Sequence, residues 1–96
     1  MDILVCYDVN TEDREGRRRL RHVANACKSL GQRVQKSTFE LRINEMQYQA
    51  FLAKLGKIIE PKTDSLRLYR LRLPREENLD VLGIDSYVDF DEPLIV

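Results

Sequence analysis

The chain opens with an apolar run that does not alternate with polar residues. Residues 2–9 (DILVCYDV) place five apolar side chains in a row, from Ile3 to Tyr7, ahead of Asp8. A strand buried on one face alternates apolar and polar positions, whereas an unbroken run is typical of a strand covered on both faces. The pattern predicts a central β-strand that ends on a carboxylate.

Two later segments carry apolar residues at helical spacing, and they predict helices over residues 13–30 and 45–59. Thr11 or Asp13 can cap the first helix, and Gly31 can end it. The apolar stripes comprise Leu20, Val23, Ala24, Cys27 and Leu30 in the first helix and Tyr48, Phe51, Leu52, Leu55, Ile58 and Ile59 in the second.

The remaining elements are predicted strands. Residues 33–43 form either one long strand or two short ones with a bend near Ser37 and Thr38. Residues 66–73 predict a strand with three arginines, and residues 84–90 alternate cleanly. This order is typical of an α+β domain of ferredoxin-like type, βαββαβ with an extra C-terminal strand, whose helices cover one face of an antiparallel sheet.

A single domain over residues 1–96 leaves the other face of that sheet open, although the first strand is patterned for burial on both faces. A second copy packed sheet to sheet would cover it, so we predict a homodimer. Asp8 would then face its twin, and two carboxylates repel unless a cation such as Mg²⁺ lies between them. Such a cation can activate water for attack on a phosphodiester. The alternative is that Asp8 forms a turn or caps the next helix.

The charges are segregated along the chain, although 16 basic and 16 acidic residues cancel overall. Residues 14–36 hold eight basic groups and one acid, and residues 76–96 hold seven acids and no base. An arginine-rich helix after Asp8 suits a phosphate backbone, bound without regard to base sequence, whereas an ordinary solvated face is the alternative. The candidate nucleic-acid-binding residues are Arg14, Arg17, Arg18, Arg19 and Arg21.

Other side chains are assigned to packing rather than to chemistry. Tyr7 is predicted to lie in the core, and Phe39 in the core or in the dimer interface. Ser37 has no nearby base to make it a nucleophile, so we expect it to donate a hydrogen bond. Cys6 and Cys27 are predicted to be free thiols of a reducing compartment. No zinc pattern, Walker loop or dinucleotide fingerprint occurs.

The chain carries no candidate membrane anchor. Its longest apolar run, residues 3–7, is far too short to span a bilayer. Asp2 and Asp8 interrupt any cleavable leader. We therefore expect a cytoplasmic protein with no membrane partner.

Three short segments, in this order, carry a family resemblance. YDV at 7–9 closes the first strand, GRRRLRHVANAC follows at 16–27, and GQRVQKSTFE follows at 31–40. Together they resemble the small CRISPR-associated endoribonuclease family, the smaller of the two universal proteins of the spacer-acquisition module. The resemblance covers about the first forty residues in detail and the rest in layout.

The resemblance implies a ferredoxin-like homodimer with its sheets face to face, in which residues 84–96 pair with the partner subunit. It also implies that Asp8 is the catalytic residue and the ligand of a divalent metal, Mg²⁺ or Mn²⁺, shared across the two-fold axis. Arg17, Arg18 and Arg19 are nearest to family positions that contact nucleic acid. Tyr7, Ser37 and Phe39 would support the site, and Thr38 stands where the family's S-x-F element more often has valine.

Two functions follow from the resemblance. One is a metal-dependent endonuclease that hydrolyses single-stranded RNA or double-stranded DNA during spacer acquisition in antiviral defence. The other is a non-catalytic, DNA-binding dimer that scaffolds the CRISPR integrase, with the acidic C-terminal stretch docked on a basic patch of that partner. A third interpretation, a housekeeping dimer that binds small ligands, stays open beside them.

Overall fold

The computed structural model describes residues 1–89 of the 96-residue chain. The elements, in chain order, are β1 (Asp2–Asp8), α1 (Arg14–Lys28), β2 (Gly31–Gln35), β3 (Thr38–Arg42), α2 (Glu45–Ile58), β4 (Ser65–Leu71) and a 3₁₀ turn (Arg75–Glu77). All strand pairs are antiparallel, and the sheet order is β2-β3-β1-β4. The predicted α+β architecture, with two helices and an antiparallel sheet, is confirmed.

One face of the sheet, which we call the helix face, carries the hydrophobic core. Val5 of β1 lies opposite Phe39 of β3 and Leu68 of β4, so the three side chains share this face. Both helices bury their apolar stripes against it, because side chains from α1 and α2 belong to the same buried cluster. The largest fully buried side chains are Phe39, Ile3, Leu41, Val5, Val23 and Cys27.

The opposite face, which we call the open face, is only partly covered. Leu4 and Cys6 of β1 are half-buried there, and Asp8 is exposed. Residues 79–85 of the same chain lie over Leu4 and Cys6 and enclose a cavity with them. The prediction that β1 is buried on both faces is therefore half right in the single chain, since its apolar run is completely buried on the helix face alone.

The first helix begins and ends on identifiable caps. Asp13 caps α1, its carboxylate accepting the backbone N–H of Gly16 at 2.7 Å. The helix ends at Lys28, before the predicted Gly31, which instead opens β2. A Cβ on Gly31 would overlap the Glu40 carbonyl, so glycine is needed here for the close approach of β2 to β3.

The second helix begins with a capping box between Asn44 and Gln47. It lies within one residue of the prediction at its C-terminal end, since Ile59 is the cap and not the last helical residue. Neither α2 nor α1 has the length and apolar character that crossing a bilayer requires, and these are the α-helices within residues 1–89.

The predicted strands meet different outcomes. The segment 33–43 proves to be two strands joined by a turn at residues 36 and 37, and the strand predicted over 66–73 begins one residue earlier. Residues 84–89 form no strand. There, the Gln32 side chain exchanges two hydrogen bonds with the Val88 backbone, at 2.6 and 2.8 Å, in place of a strand ladder. The rest of the predicted C-terminal strand and tail lies outside the described residues.

Both cysteines are free, as predicted. Cys27 is fully buried on α1, and this burial raises the pKa of its thiol to about 11. Cys6 lies half-buried on the open face of the sheet. Cys27 therefore acts as a small apolar side chain of the core.

Candidate metal and nucleic-acid site

Asp8 closes β1 with its carboxylate on the open face of the sheet. The residue is exposed and lies opposite Ser65 of β4. Within residues 1–89, no hydrogen bond or ion pair engages its side chain. Since Asp13 caps α1, Asp8 is not a helix cap, which was one of the two roles, turn or cap, that the alternative interpretation gave it. An exposed acid at a strand end, without a partner in the described chain, is available to an external ligand.

The Asp8 carboxylate has the chemistry of a Mg²⁺ ligand, because hard cations take oxygen donors and keep several waters. Within residues 1–89, no three or more His, Cys, Asp or Glu side chains are grouped to hold a metal ion. One chain therefore offers a single carboxylate at this position. A metal site here needs further oxygen ligands from a second copy, from water or from a substrate.

A second carboxylate at the same end of the sheet, Asp64, has the opposite environment. Its side chain is 0% exposed and forms an ion pair with Arg19 of α1 at 2.8 Å. We call this carboxylate and its donors the Asp64 hub. Because the hub joins the loop after β1, α1 and the approach to β4, it fixes the chain that follows Asp8. The donors are Arg19 Nε and Nη2, the backbone N–H groups of Asn10 and Glu60, and Thr63 Oγ1, at 2.8 to 3.4 Å.

The hub perturbs both of its charged members. Burial alone would raise the pKa of the Asp64 carboxyl, but the hydrogen bonds from Arg19 and from the Glu60 and Asn10 backbones outweigh it, and the pKa falls to about 2. The hydrogen bond to Asp64 in turn raises the pKa of the Arg19 guanidinium. The pair stays ionised at neutral pH. No periodic signal in the sequence links two residues 45 positions apart.

Gly16 holds the same loop against α1. A Cβ at this position would overlap the Asn10 carbonyl oxygen, so a side chain would push the loop off the helix. Gly16 is buried inside α1, and its N–H donates to Asp13. The first turn of α1 is regular, although glycine is a poor helix former. Gly16 instead supplies space for the chain between Asp8 and the helix.

The five predicted arginines of α1 do not share one environment. Arg19 is held by Asp64, a partner that was not predicted. Arg17 is exposed and donates to the Thr11 carbonyl at 3.4 Å. The other three are exposed and have no carboxylate partner within residues 1–89, namely Arg14, Arg18 and Arg21.

The three supporting residues lie on or beside the helix face. Tyr7 and Phe39 are buried, with ring centroids 6.1 Å apart, so Tyr7 is core as predicted and Phe39 lies in the core of the single chain. Ser37 is half-buried, and its carbonyl accepts the Tyr7 N–H at 3.1 Å. This bond anchors the β2–β3 turn beside the end of β1.

The ion pair between Arg75 and Glu40 ties the C-terminal segment to the open face. Glu40 of β3 accepts two hydrogen bonds from Arg75, at 2.7 and 2.9 Å, and the Arg75 guanidinium lies 3.3 Å from the ring centroid of Tyr87. Beside them, Asp2 pairs with Arg42 at 3.0 Å. The Arg75 contacts hold the segment that partly covers Leu4.

Comparisons with known proteins show which chains this one is similar to. A family model described as CRISPR associated protein Cas2 matches residues 1–78. The chain is 48% identical over 96 residues to CRISPR-associated endoribonuclease Cas2 1 of Moorella thermoacetica, and 51% identical over 96 residues to CRISPR-associated endoribonuclease Cas2 of Chlorobaculum tepidum, in both cases over the full length of both chains. The crystal structure of Streptococcus pyogenes Cas2 at pH 6.5 is similar, with a TM-score of 0.78 and 46% identity, and the match covers 86% of this chain and 100% of that one.

Proposed function

This chain belongs to the family of CRISPR associated protein Cas2, and from that premise we propose that it is an endonuclease that hydrolyses phosphodiester bonds during spacer acquisition. The carrying observation is the exposed Asp8 at the end of a central strand, without a partner in residues 1–89 and followed by exposed arginines. Since the relatives are named endoribonucleases, single-stranded RNA is the first proposed substrate and double-stranded DNA the second.

The proposed active unit is a homodimer of ferredoxin-like domains, packed sheet to sheet. Its support is that the open face leaves Leu4 and Cys6 half-buried, and that Leu82 and Ile84 of the covering segment are 97% and 98% exposed. Large exposed apolar side chains close together favour a protein contact. In this dimer, residues 84–96 pair with the partner subunit.

In the proposed dimer, the Asp8 carboxylates of the two copies would hold Mg²⁺ or Mn²⁺. When bound, the cation supplies Lewis-acid stabilisation of negative charge at the phosphate and lowers the pKa of water. The protein's own groups position the substrate. The exposed guanidinium groups of Arg14, Arg17, Arg18 and Arg21 neutralise backbone phosphates, while the Asp64 hub fixes the chain between them and Asp8.

A second candidate is a non-catalytic, DNA-binding adaptor that scaffolds the CRISPR integrase. The observation that favours it is the sparse site, since one carboxylate per chain and no three-ligand cluster within residues 1–89 make a weak catalytic centre. The acids between Glu76 and Asp89 would dock on a basic patch of that partner. In this function, the arginines matter and Asp8 does not.

The test uses the variant Asp8→Asn. The control is Glu12→Gln, which makes the same change in charge at an exposed acid four residues away. Cleavage of single-stranded RNA and of double-stranded DNA is measured in single turnover with Mg²⁺ and with Mn²⁺. We expect Asp8→Asn to slow cleavage by at least about 100-fold, because the metal stabilises the transition state by several kcal/mol. The control should stay within about twofold of the wild type.

Spacer acquisition in cells separates the two candidates. Lost cleavage with intact acquisition in Asp8→Asn would support a nuclease that also serves as a scaffold. A wild-type protein that cleaves neither substrate above background, with either metal, would exclude the nuclease and leave the adaptor.

A further inference from the structure

Four cations from three parts of the fold surround one concavity on the helix side of the sheet. The cavity measures about 400 Å³, a size that suits a nucleotide-sized ligand. Arg21 and Lys28 lie seven positions apart on α1 and so share one side of that helix, while Arg33 comes from β2 and Lys36 from the β2–β3 turn. Among residues 1–89, no acidic residue lines the cavity. We call this concavity the basic notch.

The notch cations differ from the arginines that serve the fold. Arg19, Arg42, Arg70 and Arg75 each pair with a carboxylate. Within residues 1–89, no such pair engages any of the four notch cations. Like charges that share a concavity without counter-charges create a positive potential that attracts anions. The notch therefore has the electrostatics of an anion site.

Its walls are held in place by packing. The Arg33 guanidinium lies 5.1 Å from the ring centroid of Phe39, which restrains it at the rim through a cation–π contact. The turn that carries Lys36 is anchored by the bond from the Tyr7 N–H to the Ser37 carbonyl. The Asn25 side chain also lines the notch and adds a polar donor. The notch is thus built on an ordered part of the fold.

We propose that the basic notch binds successive backbone phosphates of a nucleic-acid strand, and that it adds Lys28, Arg33 and Lys36 to the α1 arginines, of which Arg21 also lines the notch. The proposal rests on the proposed function and deepens it. Tyr7 lines the notch and is followed by Asp8, whose side chain lies on the other face of the sheet. A strand bound in the notch would therefore have to cross the end of β1 to reach Asp8. A phosphodiester chain fits because Arg offers paired donors and Lys offers a point charge.

The test compares two pairs of substitutions that remove the same charge. The notch pair is Lys28→Gln with Lys36→Gln, and the control pair is Lys54→Gln with Lys57→Gln on the exposed side of α2. The affinity for a 20-nucleotide single-stranded RNA of mixed sequence is measured by fluorescence anisotropy at several salt concentrations. We expect the notch pair to weaken binding about tenfold and to reduce the salt slope by about 1.4, or 0.7 per lost contact to a single strand. The control pair should change affinity by less than about twofold.

Arg33→Gln provides an independent variant, expected to reduce the slope by about 0.7. Thermal unfolding of every variant checks that the fold is intact. Because Lys28 and Lys36 are both exposed, replacing them should not disturb the fold. Equal affinities and slopes for the notch and control pairs would overturn the notch.

The two proposals can fail separately. If the wild type cleaves RNA in an Asp8-dependent manner while the notch and control pairs bind alike, the notch fails and the proposed function stands. If the wild type does not cleave but the notch pair alone loses affinity, the notch stands and the nuclease fails.

Discussion

Two carboxylates stand at the same end of the sheet in opposite environments. Asp8 ends β1, exposed and with no side-chain partner in residues 1–89. Asp64 immediately precedes Ser65, the residue that lies opposite Asp8, and its buried side chain accepts five hydrogen bonds. The difference shows how one acid serves the fold while its neighbour stays available for chemistry. A carboxylate whose lone pairs are satisfied inside the protein has little left to offer a metal.

The largest expected effect is on stability at Asp64. Asp64→Asn should lower the free energy of unfolding by about 2 kcal/mol, because the Arg19 guanidinium loses its counter-charge and an amide cannot accept at both positions. Asp8→Asn should change it by less than about 0.5 kcal/mol, as is usual for an exposed residue. Urea denaturation of the two variants measures both values. Equal losses would erase the contrast between the two carboxylates.

The arginines of α1 should divide in the same way. Arg19→Gln should also lower the free energy of unfolding, by less than Asp64→Asn does, because it leaves the Asp64 carboxylate without its ion pair. Replacing Arg17→Ala and Arg18→Ala together should leave stability within about 0.5 kcal/mol and weaken RNA binding about tenfold, equally for unrelated sequences. Urea denaturation and anisotropy titrations test these opposite outcomes. An unchanged salt slope in the double variant would remove Arg17 and Arg18 from the binding surface.

The pH dependence of stability should follow Asp64. Its pKa is lowered in the folded protein, to about 2, so the ionised carboxylate stabilises the fold at pH values above the unfolded-state pKa near 4. That contribution is lost progressively as the pH falls from about 4 towards 2. Urea denaturation between pH 5 and about pH 2 should show the loss in the wild type and a smaller one in Asp64→Asn. Parallel profiles for the two proteins would show that Asp64 is not the titrating group.

The smallest expected effect concerns a buried carboxylate that lies on a strand and not in a loop. It tests whether burial is what makes a carboxylate stabilise the fold. Glu40 is a buried acid of β3, and its partner Arg75 belongs to the C-terminal segment. Arg75→Gln should weaken the attachment of that segment by about 1 kcal/mol, whereas Arg72→Gln, an exposed residue with no carboxylate partner in residues 1–89, should not. Limited proteolysis of the segment beyond residue 75 should be several-fold faster in Arg75→Gln than in Arg72→Gln. Equal rates would show that the Glu40 contact does not hold the segment.

Local patterns predicted the parts of the fold that depend on local order. The unbroken run of β1 and the apolar stripes of both helices were found nearly at their observed bounds, because burial repeats with the period of each element. The strand predicted over 84–90 is absent from 84–89. Alternation predicts that a segment has one apolar and one polar face, but it does not show whether a neighbouring strand is available to pair with it.

The candidate site was predictable only in part. Asp8 stands out because it ends an apolar run. Asp64 does not, because its role depends on Arg19, which meets it only in the folded chain. The basic notch was visible as an excess of positive charge in residues 14–36, but the sequence does not show that Lys28, Arg33 and Lys36 converge on one cavity.

Gly16 limits how this protein can be engineered. Since any side chain there would overlap the Asn10 carbonyl, a saturation library at this codon should return glycine almost alone, while flanking codons of the helix tolerate many replacements. An affinity tag or a circular-permutation joint placed between Asp8 and α1 would strain the same contact. Exposed positions such as Pro61 and Lys62, in the loop after α2, are better places to attach one.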